Sequence, residues 1–160
     1  MTDSRDQYRF DDRTEDQFKR EIKAGNYIER SLFKRWLATI GNPPHRETGC
    51  GMNGEFLEFD QVSTEPDFFV EGIGAVEVKF CRPIPKEFHL KVSQIEQYIG
   101  QNAQLLMVLG AGQERPMYTL ISVDDLKFLL AACDHVNCRQ FGNKKALRVP
   151  AEWIQWSRLP

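Results

Sequence analysis

The sequence predicts an α/β fold: a central mixed β-sheet, carrying an antiparallel three-stranded meander, flanked by helices. Three observations predict it. Apolar residues recur at helical spacing through NYIERSLFKRWLATIG (26–41). Three short strand-like stretches then follow at 55–62, 67–71 and 75–80, separated by turn residues. Beyond them a helical segment precedes two short apolar runs and another helix, which makes a mixed α/β sandwich.

Taken in order, residues 1–12 read as a frayed, flexible N-terminus, and 13–160 as a single domain. Thr14-Glu-Asp-Gln17 fits a capping box, with Phe18 and Ile22 beginning an apolar stripe. Gly25-Asn26 is expected to interrupt this first helix. The second carries Ile28, Leu32, Phe33, Trp36, Leu37 and Ile40 on one face. Gly41 is a natural C-cap residue, and Pro43-Pro44 prevents continuation. RETGCGMNG (46–54) reads as a small-residue loop, and EFLEFDQV (55–62) as the first strand. SQIEQYIGQN (93–102) reads as a helix opened by Ser93, with Val92, Ile95 and Ile99 on its apolar face. QLLMVLG (104–110) and MYTLIS (117–122) read as buried strands. Ser122 or Asp124 starts the next helix, to about Ala132, and the tail ALRVPAEWIQW is Trp-rich with no clear periodicity.

Composition narrows the function classes. Apolar residues make up 41% and charged residues 28%, as in ordinary globular proteins. No apolar run approaches the roughly 18 residues needed to span a bilayer. The start, MTDSRDQYRFDDRTEDQ, lacks the apolar core of a signal peptide, so a cytoplasmic, membrane-free protein is expected. The four cysteines, Cys50, Cys81, Cys133 and Cys138, form no disulfide-scaffold or iron–sulfur pattern. Cys133, His135 and Cys138 lack an accompanying CxxC, so no structural metal is expected there. A net charge of −2 does not by itself advertise nucleic acid. Yet RQFGNKKALR (139–148) holds Arg139, Lys144, Lys145 and Arg148 without an acid, and Arg30, Lys34, Arg35 and Arg46 flank the second helix. Such groups serve either as solvated faces or as phosphate-binding patches.

The stretch EPDFFVEGIGAVEVKF (65–80) concentrates the chemistry. Cross-strand partners in a hairpin have residue numbers of constant sum and share a face. A three-residue Gly72-Ile73-Gly74 loop sets Asp67 opposite Lys79, and Glu77 shares that face because it lies two residues from Lys79. A two-residue turn would set Asp67 opposite Val78, on the other face. Val76, Val78 and Phe80 fill the apolar face, so Glu77 and Lys79 fit two readings. They are the solvent side of an amphipathic strand, or they form a site with Asp67. Two carboxylates and the Val78 carbonyl suit Mg²⁺, with Mn²⁺ as a substitute. A lysine beside them can orient or deprotonate an attacking water and offset charge on phosphorus. Glu29 lies four residues before Phe33 and seven before Trp36, at the rim of the buried helical face. It can reach across to the sheet, or pair with a nearby Arg or Lys as a surface residue does. Gln94 and Tyr98 share a helical face opposite Ile95 and Ile99, either to meet the site or as a plain polar face.

These residues resemble the PD-(D/E)XK nuclease superfamily, and within it the archaeal-type Holliday-junction resolvases. The resemblance runs from about Gly25 to Leu109, through YIERSLFKRWLATIG, RETGCG, EPDFFV, AVEVKF and SQIEQYI. It implies a restriction-endonuclease-like fold and metal-dependent cleavage of DNA, with branched or junction DNA as substrate and a homodimer as the acting form. It implies Asp67 and Glu77 as metal-binding acids, Lys79 as the catalytic lysine and Glu29 as the helix acid. Arg46 and the Thr48-Gly49 loop are similar to the family's loop that approaches DNA. Gln94 and Tyr98 are spaced as in the recombination exonucleases of the superfamily. With Arg30 and Lys91, these complete the residues expected at substrate. The chain is less basic than the archaeal resolvases, and its tail beyond Gly110 is longer. An end-dependent exonuclease, a flap or restriction-type endonuclease, and a non-catalytic nucleic-acid-binding module on the same fold stand as alternatives.

Overall fold

A computed structural model describes residues 14–49 and 65–160. The expected frayed start and the expected strand over 55–62 lie outside those residues. From Thr14 the chain runs through α1 (Glu15–Thr39), β1 (His45–Glu47), β2 (Phe68–Val70), β3 (Gly74–Cys81) and β4 (Glu87–Lys91). It continues through α2 (Val92–Gly100), β5 (Gln104–Leu109), β6 (Met117–Ile121), α3 (Val123–Ala132), β7 (Asp134–Cys138), β8 (Lys144–Pro150) and β9 (Ser157–Arg158). Two single 3₁₀ turns, Arg139–Phe141 and Ala151–Trp153, flank β8.

The capping box at the start of α1 forms as expected. Thr14 Oγ1 accepts from the Gln17 amide at 3.1 Å, and Gln17 Oε1 accepts from the Thr14 amide at 2.8 Å. Gly25-Asn26 does not interrupt it, and one helix of 25 residues replaces the expected two. A helical glycine costs only about 1 kcal/mol relative to alanine, less than nucleating a second helix. Leu32, Phe33, Trp36 and Leu37 are buried as expected, whereas Ile40 at the helix end is exposed. Gly41, at φ +87°, turns the chain, and the Asn42 amide closes back on the Leu37 carbonyl at 2.9 Å.

The main sheet has six strands in the order β1-β2-β3-β5-β6-β9. β1, β2 and β3 form an antiparallel meander, β3 and β5 are parallel, and β6 and β9 run antiparallel beyond. The sheet is therefore mixed and flanked by helices, in agreement with the sequence. The meander's first described strand is His45–Glu47, which the sequence reading placed at the end of a proline turn and the start of a loop. A second, antiparallel sheet in the order β4-β8-β7 has no counterpart among the expected elements. α2 opens at Val92 with no side-chain cap, so Ser93 lies inside it rather than capping it. Ser122 caps α3 as expected, its Oγ accepting from the Asp125 amide at 3.1 Å.

Two core layers sandwich the main sheet. On one face α1 packs Leu32, Phe33, Trp36 and Leu37 against Phe68, Val70, Val76, Val78, Leu106 and Val108. On the other, α2, α3 and the small sheet pack Ile95, Tyr98, Leu126 and Leu147 against Leu105, Met107 and Leu109. The alternation along β5 feeds both layers, as the pleat requires. In β3 the same alternation sends Val76 and Val78 toward α1 and leaves Glu77 and Lys79 to the opposite face. Among the described residues no helix is long and apolar enough to cross a membrane.

Candidate active site

The hairpin turn decides how the acids meet. The β2–β3 register pairs Phe68 with Val76 and Val70 with Gly74, so the loop is Glu71-Gly72-Ile73 rather than Gly72-Ile73-Gly74. Gly72 (φ +81°) and Gly74 (φ +101°) take conformations that a side chain resists, and the Ile73 amide donates to the Val70 carbonyl at 3.1 Å. Carried one step on, this register sets Asp67 opposite Glu77, where the sequence reading set it opposite Lys79. A shift of two in the sum keeps the face, so the three side chains still converge.

Two reciprocal hydrogen bonds lock the acids together. The Val78 amide donates to Asp67 Oδ2 at 2.8 Å, and the Asp67 amide donates to Glu77 Oε2 at 3.2 Å. The other Glu77 oxygen, Oε1, accepts from the Tyr98 hydroxyl at 3.2 Å and lies 3.6 Å from Lys79 Nζ. Tyr98 is itself buried in the core layer under α2, so the helix presents this hydroxyl in a fixed place. Gln94, one turn earlier, lines the adjacent cleft.

The electrostatics show how tightly these groups are held. Burial, then the charges of Glu77 and Glu29, push the Asp67 carboxyl well above the usual carboxylate range, against the Val78 amide and Lys79. Burial works to lower the Lys79 ammonium but is outweighed by Tyr98, Glu77, Glu29 and Asp67, and its pKa is raised. Its side chain is 33% exposed, so water still reaches it. Burial, joined by Glu77 and Asp67 and opposed by Lys79, raises the Tyr98 phenol. Its acidic neighbours, Tyr98 and then the carboxyl groups, therefore hold Lys79 positive. Glu29 reaches both Asp67 and Lys79 electrostatically, as its place at the rim of α1 anticipates.

The loop before β2 serves Asp67. The Thr48 and Gly49 amides both donate to the Asp67 carbonyl, at 2.9 and 3.2 Å, and the Thr48 hydroxyl donates to the Pro66 carbonyl. A Cβ on Gly49 would collide with the Glu65 and Pro66 carbonyls, so glycine alone lets the strands approach. These two residues, expected to approach DNA, hold the backbone of an acid. Arg46 lies on exposed β1 with its guanidinium 4.4 Å from the Phe69 ring centroid. Arg30 is engaged by Glu47 through two contacts, Nε to Oε1 at 2.8 Å and Nη2 to Oε2 at 3.3 Å. Lys91 is buried beside the cleft, its ammonium 5.8 Å from the Phe141 ring centroid. Burial, then Lys144 and Lys79, lower its pKa.

Among the described residues no three His, Cys, Asp or Glu side chains gather as a metal cage. The expected ligand set is smaller: two carboxylates and the Val78 carbonyl. The acids fit that role, since burial and then the charges of Glu77 and Glu29 raise the Asp67 carboxyl, and a divalent cation would offset that gathered negative charge. Cys133 is buried at the end of α3, and His135 bonds to the Leu130 carbonyl at 2.9 Å. Sequence reading missed Phe141 and Gln140, which the small sheet brings to the cleft; their only signal was the acid-free run 139–148. No protein-family model, curated protein or solved structure matches the chain.

Proposed function

We propose that the protein is a metal-dependent deoxyribonuclease of the PD-(D/E)XK type, acting as an endonuclease on branched DNA in the manner of a resolvase. The observation that carries the reading is the convergence of Asp67, Glu77 and Lys79 on one sheet face, with Glu29 in electrostatic reach. The mixed sheet with its antiparallel meander and flanking helices is compatible with a restriction-endonuclease-like fold.

Asp67, Glu77 and the Val78 carbonyl would hold Mg²⁺ or Mn²⁺. Such an ion supplies Lewis-acid stabilisation of phosphoryl charge and makes water more acidic. Lys79, kept cationic by its neighbours, orients the attacking water and offsets negative charge on the phosphorane. Tyr98 fixes one oxygen of Glu77, and Thr48 and Gly49 fix the backbone of Asp67. Symmetrical paired cuts on a junction would need two such sites, hence a homodimer.

The test incubates the protein with end-labelled four-way junction, flap, linear duplex and single-stranded DNA, each with Mg²⁺, Mn²⁺ or chelator. Metal-dependent, symmetrical cuts confined to the junction are expected, with Lys79→Ala lowering the rate about 10²–10³-fold. Degradation from ends would move the protein to the exonucleases. Tight binding without cleavage of any substrate would overturn the catalytic reading and leave a nucleic-acid-binding module.

A further inference from the structure

From Lys79 the sheet face opens into a cleft of about 670 Å³. Sites for small ligands span roughly 300–1,000 Å³. The cleft has an apolar floor of Phe88 and Met107, both buried. Gln94 from α2 and Gln140 from the β7–β8 connection line it as well, and the Phe141 ring forms part of its wall. Lys91 ends β4 against that ring, and both Lys144 and Lys79 act on its ammonium through space. One concavity therefore combines an aromatic surface, two carboxamides and two ammonium groups, Lys79 and Lys91, the first of which belongs to the acidic site. Glu87 also lines it, with a carboxylate oxygen 3.8 Å from Arg148 Nε.

We propose that this cleft is a subsite for one unpaired nucleotide, its base against Phe141 and its phosphate at Lys91. The inference rests on the nuclease reading and deepens it. The substrate class is DNA with a single-stranded nucleotide beside the cut, as at an overhang, a flap or a branch point. A base within continuous duplex is stacked on both faces and offers none to a protein ring, whereas an unpaired base does. Phosphate supplies the anion that the clustered ammonium groups call for. The amides of Gln94 and Gln140 can meet the edge of any base, so the subsite reads strandedness rather than sequence. The aromatic wall and Lys91 come from the small sheet and its β7–β8 connection.

The experiment measures binding in chelator, where no cleavage occurs. Anisotropy compares blunt duplex with the same duplex carrying a short overhang, and 2-aminopurine in the overhang reports stacking. Wild type is expected to bind the overhang about tenfold more tightly, as one base–aromatic stack predicts, with quenched 2-aminopurine. Phe141→Ala should lose both the preference and the quenching, and Phe141→Trp should retain them; thermal melting of each variant reports its folding. Equal affinity for both duplexes, absence of DNA binding, or a preference that survives in folded Phe141→Ala would overturn the subsite. Adding Mg²⁺ separates the two readings. A Phe141-dependent preference without cleavage leaves the subsite standing and overturns the nuclease.

Discussion

Asp67 is surrounded by Glu77 from its own hairpin, Glu29 from α1, and Lys79 and Tyr98 on the side of α2. Burial and the two acids raise its pKa, and linkage converts that into a pH dependence. Below about pH 4, the ordinary carboxylate range, Asp67 is protonated in folded and unfolded chains alike and contributes nothing. Above it the unfolded chain releases the proton while the folded chain keeps it. Stability of the metal-free protein therefore falls as pH rises, until Asp67 ionises in the folded state as well. Urea unfolding in chelator across pH 4–8 checks this: wild type should lose more stability over that window than Asp67→Asn. Equal slopes would show that Asp67 ionises normally in the fold. The convergence of Asp67, Glu77 and Lys79 was legible because three chemistry-bearing side chains fall within one hairpin, where parity alone decides the face. The opposite partner was misread because the loop starts one residue earlier, and both registers preserve parity. What Thr48 and Gly49 do was not legible, since main-chain donors leave no mark on side-chain pattern.

At the scale of elements, long periodic segments were read well and short polar strands were not. α1, α2, α3, β5 and β6 declare themselves through apolar spacing. β1 is HRE with all three residues exposed, and β7 is DHVNC with no buried residue, so neither shows the apolar alternation of a strand. Their pairing is fixed by partners distant in sequence, β1 by Phe68–Val70 and β7 by Lys144–Pro150. Gly25-Asn26 misled in the other direction, because a helix already nucleated by a capping box tolerates a weak pair. The contact that docks α1 on the hairpin is specific: Phe33 stacks on Phe68 with centroids 3.7 Å apart and planes 3° from parallel. Phe68 follows Asp67 directly, so this stack anchors the acid from the far side of the sheet. Phe33→Ala is expected to destabilise the protein by about 3–5 kcal/mol in urea unfolding, the range for a large cavity in a closed core. A loss below about 1 kcal/mol would mean that neighbouring side chains refill the space.

Across the whole molecule, the two core layers share one sheet, and the tail fastens its far edge. β9 pairs with β6, Leu159 is buried in the α1 layer, and its amide donates to the Pro116 carbonyl at 2.8 Å. Arg35 of α1 donates to the Pro160 carbonyl and the Glu114 carbonyl, both at 2.8 Å. The small sheet and α3 depend equally on β5, whose Leu105, Met107 and Leu109 face them while Leu106 and Val108 face α1. Neither layer can lose the sheet without uncovering the other, so the chain should unfold in one cooperative step. Two tryptophans report on opposite layers. Trp36 is buried under α1, and Trp156 packs on the other core layer, edge-on to Phe88, with its indole N–H bonded to the Ala151 carbonyl at 2.8 Å. With exposed Trp153 replaced by Phe, one variant retaining only Trp36 and another retaining only Trp156 isolate the signals. In each variant the fluorescence midpoint should coincide with that of far-UV circular dichroism in the same urea series. A Trp156 signal lost before the helical signal of its own variant would show that the small-sheet layer detaches first. That outcome would make the wall of the cleft a separately stable unit.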